Sequence, residues 1–392
     1  MFKKVLGLII SLTLASAQSA KQAQPRWGAD SMLRELFGPF LPQIVQTIAA
    51  GTAAQIPTTC TPASGYSHCR ILTIDHTQVG GSTLSAFGLL VRATLGASRI
   101  QNSNCYDVIF TSDYLGTTKI PWEQESCMQS TGAIIDWVGV ASISSSANTL
   151  IYVSYGNPAI SIPQNTGSHA PANIWDSNYV GVWHLPNGSI LSPNDSTANG
   201  FNLTNTGVPA GVGQIDGATG TIGYGQSLFY SHVSALDSSD WTAEAWVNLV
   251  GAPNNYANFV VEHAATNATP GHWDLAVNTS NKLIVEIPYI ATLITGATTL
   301  NNGTWYHVAA TKSGTTYTAY LNGISDGSVS SSTIPTTGGN LYSLAAADST
   351  VYLNGAADEL RVSGIGRQSG WIMAEYNNQK TGSTFVTIGS EI

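Results

Sequence analysis

Glu123 and Glu125 are the residues whose type and spacing come closest to a catalytic pair. They lie two residues apart on a predicted strand, so their carboxyl groups share one face, about 6.5–7 Å apart. Inverting glycosidases hold their two catalytic carboxyl groups about 6.5–9.5 Å apart. Nothing nearby in the sequence gives a reason for one pKa to be raised, so the pattern favours a solvated hairpin face over a catalytic pair.

The histidines do not form a metal-binding motif. His263 and His272 flank the loop AATNATPG and could line a binding edge, although loop histidines are usually solvated. The chain also has no G-x-S-x-G elbow, Walker loop or dinucleotide fingerprint.

One group of residues has the composition of a sugar-binding edge. A sugar ring stacks on an aromatic ring, and its hydroxyls bind amide and carboxylate side chains. We predict a glycan-binding edge formed by Tyr256, Asn258, Trp273 and Asp274. The alternative for Trp273 is core packing, because it begins a predicted strand.

Four cysteines allow three disulfide pairings. Cys60 and Cys69 flank a turn-rich loop, and Cys105 and Cys127 flank a predicted hairpin with its turn near residues 114–116. We predict the pairs Cys60–Cys69 and Cys105–Cys127. Zinc binding is the weaker reading, because there is no C-x-x-C pair.

The composition indicates a globular extracellular protein with room for two domains in 392 residues. Only 9% of residues are charged, against about 25% in ordinary soluble domains. Disorder is excluded by the 43% of hydrophobic residues and the 10 tryptophans. The net charge of −9 and the lack of a basic cluster exclude nucleic acid as a partner.

The first residues resemble an export signal. Lys3 and Lys4 precede an apolar run over 5–15, and Ala15-Ser16-Ala17 offers a cleavage site. We therefore expect a signal peptide over 1–20 and a secreted or cell-surface protein, with disulfides formed in an oxidising compartment. No later stretch is long and apolar enough to predict a permanent membrane span.

Residues 21–57 are predicted to form a short helical leader. Apolar residues recur at helical spacing over 31–50, and prolines divide the pattern into two short helices. This face packs on the following domain, or it docks a partner or a second copy of the chain. The first alternative is favoured.

Residues 58–165 read as a succession of short strands separated by Gly, Ser and Asn turns. The runs ILTIDHTQVG and DVIFTSDYLGTTKIPWEQES, followed by AIIDWVGVASISSSANTLIYVSYGNP, resemble a domain of unknown function in large bacterial secreted proteins. That domain commonly precedes a laminin G-like domain. Residues 166–178 are predicted to be a linker.

Residues 179–392 carry a second set of strand patterns. The most informative stretch is DELRVSGIGRQSGWIMAEYNNQ: an alternating strand, two glycines, and a helix that Ser369 could cap. With VWHL, DSTANG, AEAWV, TWYHVAAT and AYLNG in that order, this half resembles laminin G-like domains of the concanavalin A-like lectin/glucanase superfamily.

The resemblance implies a jelly roll in which His184 and His307 are structural. In the glucanase branch, catalysis uses a strand with several carboxylates at alternating spacing. The carboxylates in this half stand alone in their strands: Glu244, Glu262, Asp274 and Glu286. We therefore predict that the chain is not an enzyme.

The resemblance also implies a structural calcium ion. Laminin G-like domains often hold one near the chain ends of the sandwich. The matching positions are Asp195 and Asn199 in DSTANG and Asp358 in DELRVS. Calcium takes six to eight oxygen ligands. The alternative is that Asp195 begins an Asx-type turn and Asp358 ends a strand.

We therefore predict an all-β protein of two tandem antiparallel β-sandwich, jelly-roll-like domains behind a short helical leader. The expected function is non-catalytic recognition or adhesion by an exported protein, with a glycan or a cell-surface protein as partner. The alternatives are a structural subunit of a surface layer or fibre, assembled through residues 31–50, and a glycoside hydrolase.

Overall fold

The computed structural model describes residues 57–186, 190–231, 233–237, 240–253, 257–264, 273–287, 291–332, 340–344 and 351–392. The predicted signal peptide over 1–20, nearly all of the predicted leader over 21–57, and Tyr256 and His272 lie outside the described residues. Residues 58–392 form one compact unit. Within the described ranges, no helix is long and apolar enough to cross a bilayer.

The first part of this unit has two antiparallel sheets. Its strands are β1 (His68–Ile74), β2 (Leu84–Thr94), β3 (Val108–Thr111), β4 (Trp122–Met128), β5 (Ala133–Ile143) and β6 (Thr149–Tyr155). A further strand near the end of the described chain, β22 (Val386–Ile388), belongs to this part. A four-stranded sheet has the order β22-β1-β6-β3, and a three-stranded sheet has the order β2-β5-β4. Phe87, Leu72 and Phe110 are buried in the core that the two sheets share.

The second part is a larger sandwich. Its strands are β7 (Tyr179–Trp183), β8 (Thr204–Thr206), β9 (Ala210–Val212), β10 (Gly217–Thr219), β11 (Ser227–Tyr230), β12 (Trp241–Leu249), β13 (Ala257–Ala264), β14 (Trp273–Asn278), β15 (Lys282–Ile287), β16 (Ala291–Thr299), β17 (Trp305–Ser313), β18 (Thr316–Leu321), β19 (Ile324–Ser330), β20 (Asn340–Ser343) and β21 (Gly355–Ser363). A seven-stranded sheet has the order β16-β15-β14-β13-β20-β11-β8, a six-stranded sheet has the order β19-β18-β17-β12-β21-β7, and β9 pairs with β10. The predicted all-β fold class with antiparallel sandwiches is confirmed.

The helix α1 (Ser369–Gln379) follows β21 and joins the two parts. The predicted cap at Ser369 is wrong, because Ser369 is the first residue of the helix, Gln368 occupies the cap position and no side chain caps the helix. Trp371 and Ile372 are buried in the core of the first part. The helix therefore covers an outer face of the second sandwich with one side and packs on the first part with the other.

The last strand, β22, does not close the second sandwich. It pairs antiparallel with β1, with Leu72 opposite Ile388 and Ile74 opposite Val386. Beyond β22, Ile392 and Cys69 exchange two backbone hydrogen bonds of 3.0 and 3.1 Å. The described chain therefore returns to the sheet in which it began, and the division into domains over 58–165 and 179–392 stays a prediction.

The segment predicted as a linker, 166–178, is structured and partly buried. It contains the 3₁₀ turns Gly167–His169 and Pro171–Asn173. Ile174 and Trp175 follow, and they are only 1% and 6% exposed. The segment is part of the packed unit, because Trp175 supplies apolar surface that the first core needs.

Both predicted disulfides are present, Cys60–Cys69 and Cys105–Cys127, with Cα atoms 6.1 and 6.3 Å apart. The hairpin predicted between Cys105 and Cys127 is present beside its turn. Ser112 N–H donates to Thr118 O over 3.0 Å, Ile120 N–H donates to Phe110 O over 3.1 Å, and Thr111 pairs antiparallel with Lys119. It does not continue, because β3 and β4 enter different sheets. The second disulfide therefore links the segment before β3 to β4 across the first sandwich.

Candidate functional site

A cluster of charged side chains, two of them buried and two part-buried, lies where the first part meets the second. Strand β4 supplies Glu123 and Glu125, His184 follows β7 directly, and Glu359 lies on β21. We call these four residues the carboxylate–histidine cluster. Ligand atoms of Glu125, His184 and Glu359 all lie within 4.8 Å of one another. The predicted solvated pair therefore faces protein, because the second sandwich covers it.

A β-bulge directs two consecutive carboxylates to this side of the sheet. The pairing of β12 with β21 shifts between Glu244 and Trp246, and Glu359 opposite the shift has φ +52°. Ala357 and Leu360, on either side, both point into the core. Asp358 and Glu359 therefore both point away from it, and the left-handed backbone of a non-glycine residue stores strain there.

His184 is held between carboxylates. Its Nδ1 lies 2.9 Å from both carboxylate oxygens of Glu359, and its Nε2 lies 3.4 Å from Glu123 Oε2. Burial acts to lower the pKa of His184, but the charges of Glu359 and Glu123 raise it well above its ordinary value. Burial, followed by the charge of Glu359, raises the pKa of Glu125 to about 8.

Arg361 anchors the opposite side of the cluster. Its guanidinium donates to Glu359 Oε2 over 2.9 Å and to Glu375 Oε2 on α1. The guanidinium carbon also lies 4.4 Å from the ring centre of Trp137 and 5.0 Å from that of Trp175. Arg361 is 1% exposed. These contacts replace the water at its two terminal nitrogens, whereas its Nε has no hydrogen-bonding partner among the described residues.

A second group of carboxylates lies on the seven-stranded sheet. Strand register places Glu262 opposite Asp274, and Asp274 opposite Glu286. Paired residues of neighbouring strands point to the same face, so the three form one row, which we call the acidic row. All three are less than a tenth exposed. Burial, and then the charges of Glu262 and Glu286, raise the pKa of Asp274 well above its ordinary value.

We expect Asp274→Asn to change how stability depends on pH. A carboxyl group whose pKa is raised in the folded state stabilises the fold fully below its unfolded pKa, about 3.9, and loses that contribution as pH rises through its folded pKa. Between the two values, the wild-type free energy of unfolding should fall by about 1.4 kcal/mol per pH unit more than that of the variant. Urea unfolding at several pH values measures this difference.

Asp75→Asn is the matched control. Hydrogen bonds from the Gln78 side chain, and then from Thr77, lower the pKa of the exposed Asp75. The ionised Asp75 should therefore stabilise the fold at high pH, and this stabilisation should disappear as pH falls. The pH dependence that Asp75 gives to the free energy of unfolding is thus opposite in sign to that of Asp274. Parallel pH curves for wild type and Asp274→Asn would contradict the assignment of a protonated Asp274.

An open cleft of about 410 Å³ lies beside α1 on the outer face of the six-stranded sheet. We call it the aromatic cleft, since its lining includes the rings of Trp246, Trp305 and Tyr376. Polar side chains surround them: Gln214, Thr304, Asn322, Lys380 and Thr381. Trp246 is fixed from below, because its Nε1–H donates to Gln379 Oε1 over 2.7 Å. Trp305 and Tyr376 are half-buried and remain accessible.

The predicted glycan-binding edge is not a surface. Trp273 is completely buried and stacks on Trp241, with ring centres 4.0 Å apart and an interplanar angle of 12°. Asn258 and Asp274 are also 0% exposed, and Asn258 Oδ1 accepts a hydrogen bond from Asn354 N–H. Core packing therefore takes these three side chains away from any ligand, and Tyr256 lies outside the described residues.

Asp195 and Asn199, two of the three residues predicted to bind calcium, make hydrogen bonds within the chain. The two carboxylate oxygens of Asp195 accept four hydrogen bonds, three from the backbone N–H groups of Val182, Thr197 and Phe201 and one from the Thr197 hydroxyl. Asn199 Nδ2 donates to Tyr179 O and Val180 O. These contacts agree with the Asx-type turn, which was the alternative interpretation of Asp195.

Asp358, the third predicted calcium ligand, is engaged elsewhere. Its Oδ2 accepts from the N–H groups of Gln214 and Ile215. Burial, and then the charges of Glu359 and Glu125, raise its pKa well above its ordinary value. Asp195 and Asp358 therefore share no hydrogen-bonding partner among the described residues, and calcium binding by them stays a prediction.

The two stacked sheets make the second part an antiparallel β-sandwich, with an open cleft on one outer face. Residues 223–372 match the family model of the Concanavalin A-like lectin/glucanases superfamily. No curated protein matches the chain. The domain of unknown function expected before it stays a prediction.

Several solved structures are similar in fold, all with low sequence identity. Domain 4 of AbnA, a GH43 extracellular arabinanase from Geobacillus stearothermophilus in complex with arabinotriose, is 17% identical, with a TM-score of 0.40 over 50% of this chain and 97% of that one. The binding domain of Paraclostridial Mosquitocidal Protein 1 is 15% identical, with a TM-score of 0.41 over 51% of this chain and 52% of that one. Trypanosoma rangeli sialidase is 12% identical, with a TM-score of 0.38 over 60% of this chain and 41% of that one. The chain thus spans about half or less of the length of the last two structures, and these similarities concern the fold alone.

The prediction that the chain is not an enzyme is wrong. The fold occurs in structures of enzymes as well as of binding domains, since a sialidase is among those similar to it. The argument for the prediction also fails, because carboxylates that stand alone along their strands meet across the sheet in the acidic row.

Sequence reasoning missed the partners of Glu125. His184 and Glu359 lie 175 residues apart, and both are far from β4 in the sequence. One signal was available: in a chain with 9% charged residues, the stretch DELR places three charges within four residues of a strand whose other face is apolar. Such a concentration indicates a charged network and not a solvated edge.

Proposed function

We propose that the protein is an exported glycan-recognition protein that binds a saccharide in the aromatic cleft. The observation that carries the proposal is the pairing of accessible Trp305 and Tyr376 with amide, hydroxyl and ammonium groups in one concave site. Aromatic faces stack on the apolar faces of sugar rings. The polar groups around them donate and accept as sugar hydroxyls require.

The shape of the cleft supports a small ligand over a protein surface. A cleft of about 410 Å³ is within the range of about 300–1,000 Å³ that is usual for small-molecule sites. Its polar lining carries one cation, Lys380, whose Nζ lies 5.1 Å from the Tyr376 ring centre. Neutral or acidic saccharides therefore fit better than basic ones. Two disulfides support the export that the proposal includes.

Trp305→Ala is expected to weaken saccharide binding about thirtyfold, since removing a central aromatic contact costs about 2 kcal/mol. A glycan array with the wild-type chain identifies the saccharide, and calorimetry then measures both dissociation constants. The unfolding midpoint should change little, because Trp305 is only half-buried.

Tyr224→Ala is the control for this experiment. Tyr224 is an aromatic residue that is 74% exposed and does not line the cleft, so its removal should leave the dissociation constant unchanged. The proposal is rejected if the wild-type chain binds no glycan, or if Trp305→Ala binds as tightly as wild type.

The acidic row does not support a second candidate function. Asp274 is 0% exposed, so a saccharide cannot reach its carboxyl group.

A further inference from the structure

Lys380 is the one charged residue in the described lining of the aromatic cleft. The other polar side chains of that lining are neutral amides and hydroxyls: Gln214, Thr304, Asn322 and Thr381. The chain as a whole has 23 acidic residues against 14 lysines and arginines. The described lining of this concave site, with a cation and no carboxylate, is therefore opposite in charge to the chain as a whole, and it favours an anionic ligand.

The ammonium group of Lys380 can donate further hydrogen bonds. Its Nζ donates to a neutral acceptor, Asn377 Oδ1, over 3.0 Å. Within the described part of the chain, no carboxylate forms a salt bridge with it, whereas Asp240 lies 3.7 Å from the buried ammonium group of Lys312. An ammonium group has three N–H donors. Lys380 can therefore bind a ligand oxygen and keep its contact with Asn377.

A lysine at the end of a helix can also act on the helix alone, by donating to its last carbonyl groups. Lys380 directly follows Gln379, the last residue of α1, but other donors bind these carbonyls. The Ser383 hydroxyl donates to Asn377 O, and Arg92 Nη1 donates to Gln379 O over 3.1 Å. The ammonium group is therefore not required to cap the helix.

Tyr376 holds the ammonium group beside the aromatic wall of the cleft. Lys380 Nζ lies 5.1 Å from the centre of the Tyr376 ring, within the distance of about 6 Å that is usual for a cation–π contact. The Tyr376 ring packs in turn on Trp246, with centres 5.9 Å apart. Trp305 lines the same cleft, so a sugar ring that stacks on Trp305 can direct an anionic substituent to the ammonium group.

We propose that the aromatic cleft binds an acidic saccharide, one that carries a carboxylate or a sulfate group, in preference to a neutral one, and that Lys380 determines this preference. The inference rests on the proposed function, because it requires a saccharide in the cleft. The ammonium group donates a charge-assisted hydrogen bond to the anionic group, a contact about twice as strong as a neutral hydrogen bond. Lys380 is part-buried, so salt screens this contact less than it screens a fully exposed ion pair.

A glycan panel with matched pairs tests the preference. Oligogalacturonate, hyaluronan oligosaccharides and sialyllactose are each presented beside their carboxyl-reduced, neutral forms, and sulfated galactose oligosaccharides are presented beside their desulfated forms. The full chain should bind at least one acidic member about tenfold more tightly than its neutral form, a difference of about 1.4 kcal/mol. The carboxylate and sulfate pairs show which anionic group is recognised.

Lys380→Met tests the residue. Methionine is unbranched like lysine but has no charge, so the preference for the acidic form over the neutral form should fall about tenfold. Lys380→Arg keeps the positive charge and should keep most of the preference. Lys282→Met is the matched control, since the Lys282 side chain is also part-buried, donates to a neutral acceptor, Ala297 O, over 3.0 Å and does not line the cleft. It removes the same charge and should leave the preference unchanged.

The outcomes separate this inference from the function on which it rests. Binding of neutral members alone, or of acidic and neutral forms with equal affinity, would overturn the inference and leave the proposed function in place. A wild-type chain that binds no glycan rejects both. If Lys380→Met keeps the full preference, or if Lys282→Met loses as much of it, Lys380 does not determine it. Unfolding midpoints near that of wild type show that the variants are folded.

Discussion

Arg361→Met should lower the free energy of unfolding by about 3–5 kcal/mol, because removing one partner of a buried ion pair leaves the other charge buried and unpaired. Arg361 is 1% exposed and bridges Glu359 to Glu375, which are both buried. Methionine keeps most of the packing against Trp137 and Trp175 but none of the charge. Urea unfolding, with a check that the m-value is unchanged, measures the loss.

Two further variants identify the cause of that loss. Arg99→Met removes an arginine that is 47% exposed and lies 2.8 Å from Glu391, so it should cost less than about 1 kcal/mol. Adding Glu375→Gln to Arg361→Met should recover part of the stability, because it removes one of the stranded charges. If Arg361→Met lowers the free energy of unfolding no more than Arg99→Met does, the buried ion pairs of Arg361 do not contribute to stability as we expect.

Trp273→Ala should also cost about 3–5 kcal/mol, the usual range for removing a buried tryptophan. The parallel stack of Trp273 on Trp241 lies in the core of the second sandwich, and His263 packs against it with ring centres 5.9 Å apart. Alanine would leave a cavity among these rings. Chemical unfolding of the variant measures the loss, and Trp273→Phe should show a smaller one.

This variant also separates the two interpretations of Trp273. A core residue changes stability, whereas a residue of a glycan-binding edge changes binding and leaves stability nearly as it was. Retained wild-type stability together with lost saccharide binding would restore the predicted edge. Trp305→Ala should have the opposite effect: it should weaken saccharide binding and leave the free energy of unfolding nearly unchanged.

Much of the fold was predictable because its signals are local. The alternation that puts Leu360 and Val362 in the core and Glu359 and Arg361 on the other face follows from the two-residue period of a strand. The cysteine pairing was predictable because the paired cysteines lie only 9 and 22 residues apart in the sequence. The hairpin between Cys105 and Cys127 forms only beside its turn, because the turn is set by local sequence, whereas the choice of sheet for each strand depends on distant partners.

The candidate sites were less predictable because distant strands assemble them. Glu262, Asp274 and Glu286 each stand alone in their strands, and only the register of β13, β14 and β15 brings them together. Glu125 was expected to be solvated because nothing in β4 indicates that β7 and β21 cover it. Trp305 and Tyr376 meet only because α1 packs beside the sheet.

The pairing of β22 with β1 has a consequence for the order in which the chain can fold. Arg70 Nη1 donates to Gly389 O, a contact across 319 residues, and contacts of such long separation form slowly because a long loop must close first. A ribosome adds about 5–20 residues per second. For many seconds after β1 is synthesised, that edge of the four-stranded sheet has no partner, so the sheet that begins the described chain is completed only after its last strand has been made.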